Sequence, residues 1–321
     1  MKFTILIVTY HPIWDKLKLT LDSVLRQTFT DYEIVISDDG SEDNCFDRIT
    51  EYFKERQFTR YHLVEHTKNQ GTVRNLLDGV EHSCGKYIRD FGPGDLFYHA
   101  HTLQRVYDFM EGSGCEACFG LMRGYCVQED GAIRYTDFPH PFDIEAYRRA
   151  DGERIQKNLV LYRDNASGAA TCYTKAFFAE YLKRIEGTVK YTEDILQILA
   201  GLDNRAFHFF PDYLVWYEAD TGVSTKKKSS FAELLAQDVE RFYEMVQREY
   251  GGNKYVKKQR RVLGLYKIRN LYLRTFLRMF VNPDAVRYLM EHRRQLKQGA
   301  YRPEHEEPGF MDDREFTEHK E

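Results

Sequence analysis

Carboxylate and hydroxyl side chains follow three of the predicted strands at the point where each strand ends. Thr9-Tyr10-His11 follows the first strand, Asp38-Asp39-Gly40-Ser41 the second, and Gly92-Pro93-Gly94-Asp95 the fourth. In open α/β sheets, ligands bind at the carboxyl ends of the strands. An Asp there can accept hydrogen bonds from a base N–H or from ribose hydroxyls, but the same residues also form Asx turns that simply close a strand. The pattern therefore predicts either a nucleotide site or a set of tight turns at one sheet edge.

Glycine-rich phosphate loops are missing from the sequence. Neither G-x-G-x-x-G nor G-x-x-x-x-G-K-[ST] occurs in the chain. These motifs place backbone N–H groups against the phosphates of dinucleotides and nucleoside triphosphates, respectively. Their absence argues against a dinucleotide-dependent enzyme and against a P-loop NTPase.

A second acidic group opens a helix much further along the chain. Thr192-Glu193-Asp194 precedes the apolar residues Ile195 and Leu196. A carboxylate in this place can act as a general base. Equally, a Thr N-cap and two acids in the first turn are what the helix dipole favours in any protein. The residues alone leave both interpretations open.

The first hundred residues contain the elements that must position these groups. Apolar, β-branched segments at 3–9, 32–37, 60–66 and 86–91 alternate with helical patterns at 15–27, 43–55 and from Asn69 onward. This alternation predicts an α/β fold with a doubly wound, mostly parallel sheet. Two strands joined by a turn at residues 129–131 predict a small antiparallel excursion, and a loop-rich stretch with Pro139 and Pro141 follows it.

Composition limits the class of protein further. The chain has 321 residues, 42% of them hydrophobic, and a formal net charge of −4, which gives no global case for nucleic-acid binding. No apolar run approaches the roughly 18–20 residues needed to span a bilayer. The N-terminus is typical of a strand rather than a signal peptide, so we expect a cytoplasmic protein with reduced cysteines. Cys115 and Cys118 form a C-x-x-C pair, which is better interpreted as two buried small residues than as a metal or redox site.

Taken in order, these segments resemble the inverting glycosyltransferases of family 2, which have the GT-A fold. The resemblance covers about residues 1–225 and is carried by ILIVTYH, LDSVLRQTFTDYEIVISDDGSED, NQGTVRN and GKYIRDF. It implies that Thr9, Tyr10 and Asp39 hold the base and ribose of a nucleotide-sugar. It also implies that Asp38 supports the turn and that Arg74 lies close to the nucleotide or diphosphate, although Arg74 could equally be a surface charge on its helix.

The Gly-Pro-Gly-Asp segment departs from the family pattern. Family members usually have Asp-x-Asp-Asp there, whose acids hold a divalent cation against the diphosphate. In this chain Gly92 and Gly94 replace two of the acids and only Asp95 remains. One hypothesis is that Asp95 binds Mg²⁺ or Mn²⁺ with water and diphosphate oxygens as the other ligands. In a second, backbone N–H groups around Gly94 approach the diphosphate directly. In a third, Asp95 only caps the following helix.

The resemblance also assigns the reaction. It implies that Asp194 is the base that deprotonates an acceptor hydroxyl, and that one sugar is transferred from a nucleotide-sugar, most plausibly a UDP-sugar, to a glycan or lipid-linked acceptor in surface polysaccharide synthesis. The Gln-x-x-Arg-Trp motif of processive synthases is absent. The rival hypothesis is a GT-A-like nucleotide-binding or scaffold protein without transfer activity, because the Asp-x-Asp motif is lost.

The C-terminal third is predicted to be helical and basic. We divide the chain into a catalytic domain at 1–228, a helical region at 229–300 and an acidic, mobile tail at 301–321. Residues 254–297 contain thirteen Lys and Arg against two acids, a formal excess of eleven positive charges. Such amphipathic helices can lie on an anionic membrane surface, here its inner face, or dock on the catalytic domain or on a second copy in a homodimer. Nucleic acid is not an expected partner, since no recognition motif is present.

Overall fold

The computed structural model describes residues 1–128, 132–219, 230–265 and 280–313, together with positions 268, 273, 276 and 277. The predicted turn at 129–131, the closing segment at 220–225 and the lysine run at 226–228 lie outside the described residues. So does most of the predicted helix between 266 and 281.

The N-terminal part of the sheet is parallel, as the alternating pattern predicts. Four strands lie in the order β3-β2-β1-β4, with β1 at Phe3–Thr9, β2 at Tyr32–Asp38, β3 at Tyr61–Glu65 and β4 at Tyr87–Phe91. Thr9 is opposite Asp38, and Ile7 is opposite Phe91. Because these strands run in the same direction, the three polar segments that follow them meet at one edge.

Helices cover both faces of this sheet. The intervening helices are α1 at Trp14–Leu25, α2 at Phe46–Glu55 and α3 at Thr72–Glu81. Side chains along β1 alternate between two hydrophobic cores: Ile5 and Ile7 pack in one with α1 and α2, and Leu6 packs in the other with α3. A strand buried on both faces is expected to be apolar throughout, which explains the continuous FTILIVT segment.

The remaining strands make the sheet mixed. They are β5 at Leu96–Phe97, β6 at Ala117–Val127, β7 at Ile133–Asp137, β8 at Thr171–Thr174 and β9 at His208–Glu218. The order continues from β4 through β8, β6 and β9 to β5, and β7 pairs with β6. β6 and β7 are antiparallel, as predicted. β8 is antiparallel to both β4 and β6, whereas β6 and β9 run parallel.

The stretch predicted to be loop-rich contains two helices. The helices of this middle part of the chain are α4 at Thr102–Ser113, α5 at Ile144–Arg148, α6 at Gly152–Tyr162, α7 at Lys175–Ile185 and α8 at Leu196–Leu202. The side chain of Asp151 accepts a hydrogen bond from the N–H of Arg154 at 3.1 Å and so caps α6. The prolines at 139 and 141 precede these helices and do not interrupt them.

The C-terminal helices dock on this domain. They are α9 at Ser230–Glu249, α10 at Lys254–Leu265 and α11 at Asp284–Lys297. In α11 the side chain of Gln295 is fully buried, and its Nε2 donates to Asp143 Oδ1 at 2.7 Å. Arg154 on α6 forms an ion pair with the same carboxylate at 2.6 Å. No helix among the described residues is long and apolar enough to cross a membrane.

Residues 301–313 are folded against the sheet, so the prediction of a mobile tail is wrong for this part. The N–H of Phe310 donates to the Tyr98 carbonyl at 2.7 Å, and that of Glu304 donates to the Pro211 carbonyl at 2.8 Å. Met311 is buried. The acidic composition of this segment predicted a tail because it outweighs two apolar residues. Phe310 and Met311 supply the hydrophobic contact that the surrounding charged residues cannot make.

Gly309 fits this segment against the sheet and provides a test of it. A Cβ at Gly309 would lie 2.8 Å from the Tyr98 carbonyl oxygen and closer still to the Trp216 indole. We expect Gly309→Ala to lower the free energy of unfolding by about 1–3 kcal/mol, the usual cost of overpacking. Chemical denaturation would measure this. Gly264→Ala is the matched control, because a Cβ there meets no atom within 4 Å and should leave stability unchanged or raise it. Equal stability of the two variants would contradict the packing.

Candidate active site

Asp38 closes the turn that follows β2. Its carboxylate accepts hydrogen bonds from Thr9 Oγ1 at 2.8 Å, from the Ser41 N–H at 2.7 Å and from Ser41 Oγ at 2.7 Å. The N–H of Asp39 donates to the Thr9 carbonyl at 2.9 Å. Thr9 and Asp38 therefore fix the backbone of the sheet edge, and neither side chain reaches solvent.

Asp39 joins the end of β2 to the start of α3. Its Oδ1 accepts the N–H of Gln70 at 2.7 Å and its Oδ2 accepts the N–H of Gly71 at 2.8 Å. Gly71 has φ +97°, a backbone conformation that favours glycine. Oδ1 also lies 3.3 Å from His66 Nδ1, whereas Oδ2 keeps a second lone pair. Asp39 is nevertheless buried, so its first role in this structure is to hold the loop before α3.

A buried histidine that sequence reasoning missed extends this network. His66 Nδ1 lies 3.3 Å from Asp39 Oδ1, and its Nε2 lies 2.9 Å from Asp78 Oδ2. Arg74 binds Asp78, with Nε 2.9 Å from Oδ2, and also Glu186, with 2.8 Å between Nη1 and Oε1. Arg74 thus lies on the outer side of α3, and its link to the predicted nucleotide site runs through Asp78 and His66. The only sequence signal was a His at the end of a strand.

Tyr10 is the exposed aromatic group at this edge. Its side chain is 52% exposed, and its ring centroid lies 4.3 Å from that of His11. His11 has φ +48°, and its N–H donates to Ser41 Oγ at 2.7 Å. The turn beneath is therefore rigid while the Tyr10 ring remains accessible. An exposed ring above polar turns can stack on a planar ligand.

The N–H groups of Gly94 and Asp95 in the Gly-Pro-Gly-Asp segment are engaged in internal hydrogen bonds. The N–H of Gly94 donates to Thr20 Oγ1 at 2.9 Å, and that of Asp95 donates to the Gly92 carbonyl at 3.1 Å. The hypothesis that the N–H groups around Gly94 bind a diphosphate directly is therefore not favoured. Gly94 has φ +100°, and a Cβ there would lie 2.5 Å from Glu218 Oε2. Glu218 of β9 occupies the space that a side chain at 94 would need.

Asp95 and Glu218 form a pair of neighbouring carboxyl groups. Asp95 is 8% exposed, and its Oδ1 accepts the N–H of Glu218 at 3.4 Å. Burial raises the pKa of Asp95 to about 7, although the positive charge of Arg89 opposes the shift and the charge of Glu218 adds to it. Glu218 also forms an ion pair with Lys16 at 2.8 Å. Sequence reasoning missed Glu218, because only the pairing of β5 with β9 brings it here.

Arg89 connects this region to the segment that contains Gly168. It is fully buried in β4, its guanidinium donates to the carbonyls of Asp90 and Ala169, and it lies 4.0 Å from the centroid of the Phe91 ring. The sequence signal for this buried arginine was the pair of charged residues inside the otherwise apolar segment YIRDF. Through Ala169, Arg89 holds the small-residue turn at 168–170 beside the end of β4.

Asp194 and its neighbour Glu193 lie against that turn. A Cβ at Gly168 would be 3.2 Å from Glu193 Oε1 and 3.6 Å from the Asp194 Cβ. Asn165 Nδ2 donates to Asp194 Oδ2 at 2.9 Å. Desolvation by the surrounding protein, with the charge of Asp194 adding to it, raises the pKa of Glu193 to about 8. Desolvation also raises the pKa of Asp194, against the hydrogen bond from Asn165. Asp194 is thus a stronger base than an ordinary surface Asp.

The described residues offer few side-chain ligands for a metal ion. Among the described residues no group of three or more His, Cys, Asp or Glu side chains is arranged to hold one. A cation held by Asp95 would have to keep most of its ligands as water or ligand oxygens, as Mg²⁺ commonly does, because the neighbouring Glu218 is paired with Lys16. Cavities of about 510 and 460 Å³ lie elsewhere, one lined by residues of α6, α10 and α11 and one beneath residues 302–312. Neither is lined by a predicted site residue.

Comparison with known proteins assigns the chain to a family. The model of the family described as "Glycosyl transferase family 2" matches residues 4–185, more than half of the chain. The chain belongs to glycosyl transferase family 2.

Curated relatives match only part of their own length. Over 172 residues the chain is 33% identical to a PGL/p-HBAD biosynthesis glycosyltransferase of Mycobacterium tuberculosis strain H37Ra, covering 53% of this chain and 62% of the relative. Over 129 residues it is 31% identical to a poly(ribitol-phosphate) beta-glucosyltransferase of Bacillus spizizenii, covering 39% of this chain and 19% of the relative. An uncharacterized glycosyltransferase of Rickettsia bellii is 32% identical over 105 residues, covering 31% of this chain and 14% of the relative. The chain thus spans less than two thirds of each of these relatives.

Solved structures show the same fold. Residues 1–349 of S. aureus TarS align with a TM-score of 0.51 at 15% identity, covering 93% of this chain and 92% of that one. The complex of that protein with UDP-GlcNAc gives a TM-score of 0.52 at 16% identity, covering 78% and 73%. The fold class predicted from the sequence, an α/β sheet followed by a helical C-terminal region, is confirmed.

His66 provides a test of the buried network. We expect His66→Asn to lower the free energy of unfolding by about 1–3 kcal/mol, because the shorter side chain cannot contact Asp39 and Asp78 together and leaves buried polar groups unpaired. His62→Asn on β3, the strand that ends just before His66, is the matched control, since its side chain is 56% exposed and lies 3.8 Å from Glu33. Urea denaturation measures both. A larger loss in the control would show that His66 is not a structural link.

Proposed function

We propose that this chain is an inverting, non-processive glycosyltransferase that moves one sugar from a UDP-sugar to a hydroxyl of a glycan or lipid-linked acceptor in cell-surface polysaccharide synthesis. Family membership supports the reaction class. The names of two relatives, in PGL/p-HBAD biosynthesis and in poly(ribitol-phosphate) glucosylation, support a cell-surface acceptor. The UDP-GlcNAc complex of TarS supports the donor class. The observation that carries the proposal is that Arg89, through Ala169, holds the turn carrying Gly168 between the end of β4 and Asp194.

In this proposal the turns after β1 and β2 bind the nucleotide. Tyr10 stacks on the base, because its ring is the exposed group of this edge. Thr9 and Asp38 hold the turn, and Asp39 reaches the base or ribose through the remaining lone pair of its Oδ2. Arg74 contributes indirectly by holding Asp78 against His66.

Asp194 is the proposed base. It takes the proton of the acceptor hydroxyl as the oxygen attacks the anomeric carbon from the side opposite the diphosphate. The carbon–oxygen bond to the diphosphate breaks, and the bonding pair leaves with UDP, so configuration inverts in one displacement. Asn165 donates to Oδ2 of Asp194 and so orients the carboxylate. The raised pKa favours proton acceptance, because a stronger base lowers the barrier to transfer.

Mg²⁺ or Mn²⁺ is the proposed cofactor. Asp95 would be its main protein ligand, with Glu218 as a second carboxylate close by. When bound, the cation would neutralise the charge that develops on the diphosphate leaving group. Gly94 has its own role, since only a residue without a side chain leaves room for Glu218.

A nucleotide-binding or scaffold protein without transfer activity is the second candidate. The loss of two acids at positions 92 and 94 and the small donor set around Asp95 favour it. It predicts binding of UDP but no turnover of any UDP-sugar. Incubation of the wild-type chain with a panel of UDP-sugars, with release of UDP as the readout, separates the two candidates.

Asp194→Asn tests the base. We expect this variant to lose transfer by about 10²–10⁴-fold, the range for removing a general base, while UDP affinity stays within twofold. The wild-type rate should fall as pH decreases through the pKa of Asp194, because protonation removes the base, and the variant should lack this dependence. Asp108→Asn, on the outer surface of α4, is the matched control. Normal turnover by Asp194→Asn would overturn the assignment.

Asp95→Asn tests the cation site. Calorimetry of UDP with and without Mn²⁺ should show that the metal raises UDP affinity by about tenfold or more in the wild type and by much less in the variant, which cannot supply the charged oxygen ligand. Glu218→Gln should weaken the metal effect partially. If UDP binds the wild-type chain equally well with a chelator, the cation has no role in nucleotide binding.

A further inference from the structure

Helix α11 is attached to the domain by polar and aromatic residues. The Tyr288 ring stacks on Tyr162 with centroids 4.1 Å apart, and the His292 ring stacks on Phe142 at 3.9 Å. Gln295 is fully buried against Asp143. These residues recur every three or four positions and define the inner face of the helix.

The outer face of α11 is apolar. Val286, Leu289 and Met290 are 55%, 51% and 65% exposed, and their spacing places them together on the side away from Gln295. Phe276 and Phe280, which precede the helix, are also exposed, and their ring centroids lie 4.8 Å apart. A helix on a globular domain normally directs its apolar side chains inward. Here the pattern is reversed, which marks an interaction surface.

Positively charged side chains surround these apolar residues. Arg287, Arg293, Arg294 and Lys297 are all exposed on α11. The formal charge of segment 254–297 is +11, whereas the whole chain has −4, so the remaining residues carry −15. The positive charge is therefore concentrated in one part of the sequence, and four of its exposed cations lie on α11 itself.

We propose that the outer face of α11, defined by Val286, Leu289 and Met290 with the surrounding Arg and Lys, docks on an anionic lipid surface. Apolar side chains would enter the boundary between headgroups and acyl chains, while the cations meet lipid phosphates. Two copies of this face meeting about a twofold axis would bring the same cations together, which disfavours a homodimer through it. The proposed lipid-binding surface is separate from Asp194, so this proposal does not depend on whether the chain transfers sugar.

Vesicle co-sedimentation of the full chain tests this proposal. We expect the wild type to bind vesicles of phosphatidylcholine with about 30% phosphatidylglycerol, to bind pure phosphatidylcholine far less, and to be released by high salt. The triple variant Val286→Ser, Leu289→Ser and Met290→Ser should reduce the partition coefficient by about tenfold or more. All three side chains are at least half exposed, so the melting temperature should not change. Leu234→Ser, an exposed apolar position on α9, is the matched control and should bind as the wild type does.

Three outcomes would overturn the proposal. The first is that the wild type does not bind anionic vesicles, and the second is that the triple variant binds them as well as the wild type does. The third is a homodimer in sedimentation equilibrium that the triple variant converts to a monomer, since this would assign the face to a second copy. The double variant Arg293→Glu and Lys297→Glu adds an electrostatic test, because it should weaken binding to anionic vesicles and reduce the effect of salt.

Discussion

Carboxylates that are buried at the carboxyl edge of the parallel strands must find hydrogen-bond donors within the chain, and the organisation of this protein depends on that requirement. An unpaired buried carboxylate is costly, so a buried carboxylate that accepts backbone N–H groups fixes that part of the backbone. Asp38 fixes the turn after β2, and Asp39 fixes the loop before α3. Asp95 accepts an N–H from the end of β9. The buried acids at this edge therefore have a structural role first, and the accessible groups there include Tyr10, His11 and part of Asp194.

The need to satisfy buried charges also explains how a site can form although glycines replace two acids at positions 92 and 94. Gly94 leaves space that Glu218 fills from another strand, so a carboxylate returns to the neighbourhood by tertiary packing. Arg89 supplies a buried positive charge between Asp95 and the turn at 168–170. A buried guanidinium that donates to two main-chain carbonyls links their segments, because breaking either contact would leave a further buried donor without a partner. The edge is thus held by charges from β4 and β9 and not by a dense acidic motif.

The sequence predicted those structural features that depend on residues close together in the chain. The strands β1–β4, the acidic turns and the three C-terminal helices all follow from periodicity, capping and turn residues over short windows. His66, Arg89 and Glu218 were missed because their roles depend on contacts between distant segments, such as the pairing of β5 with β9. Residues 301–313 were misjudged for the same reason, since their composition is that of a tail, and only the surface formed by Tyr98 and Trp216 gives Phe310 and Met311 a place to pack.

The C-terminal helix and the predicted base are joined by one continuous stretch of packing. Gln295 of α11 donates to Asp143, and the N–H of Asp143 donates to Asp164 at 3.1 Å. Asp164 is buried, and its neighbour Asn165 donates to Asp194. The first two links are buried hydrogen bonds, Asp164 and Asn165 are adjacent in the chain, and the bond to Asp194 is partly buried. The inner face of α11 therefore helps to hold the segment that orients Asp194. The helix proposed to meet a lipid surface is therefore part of the support of Asp194, which would keep the orientation of the protein on that surface and the geometry of its base in a fixed relation.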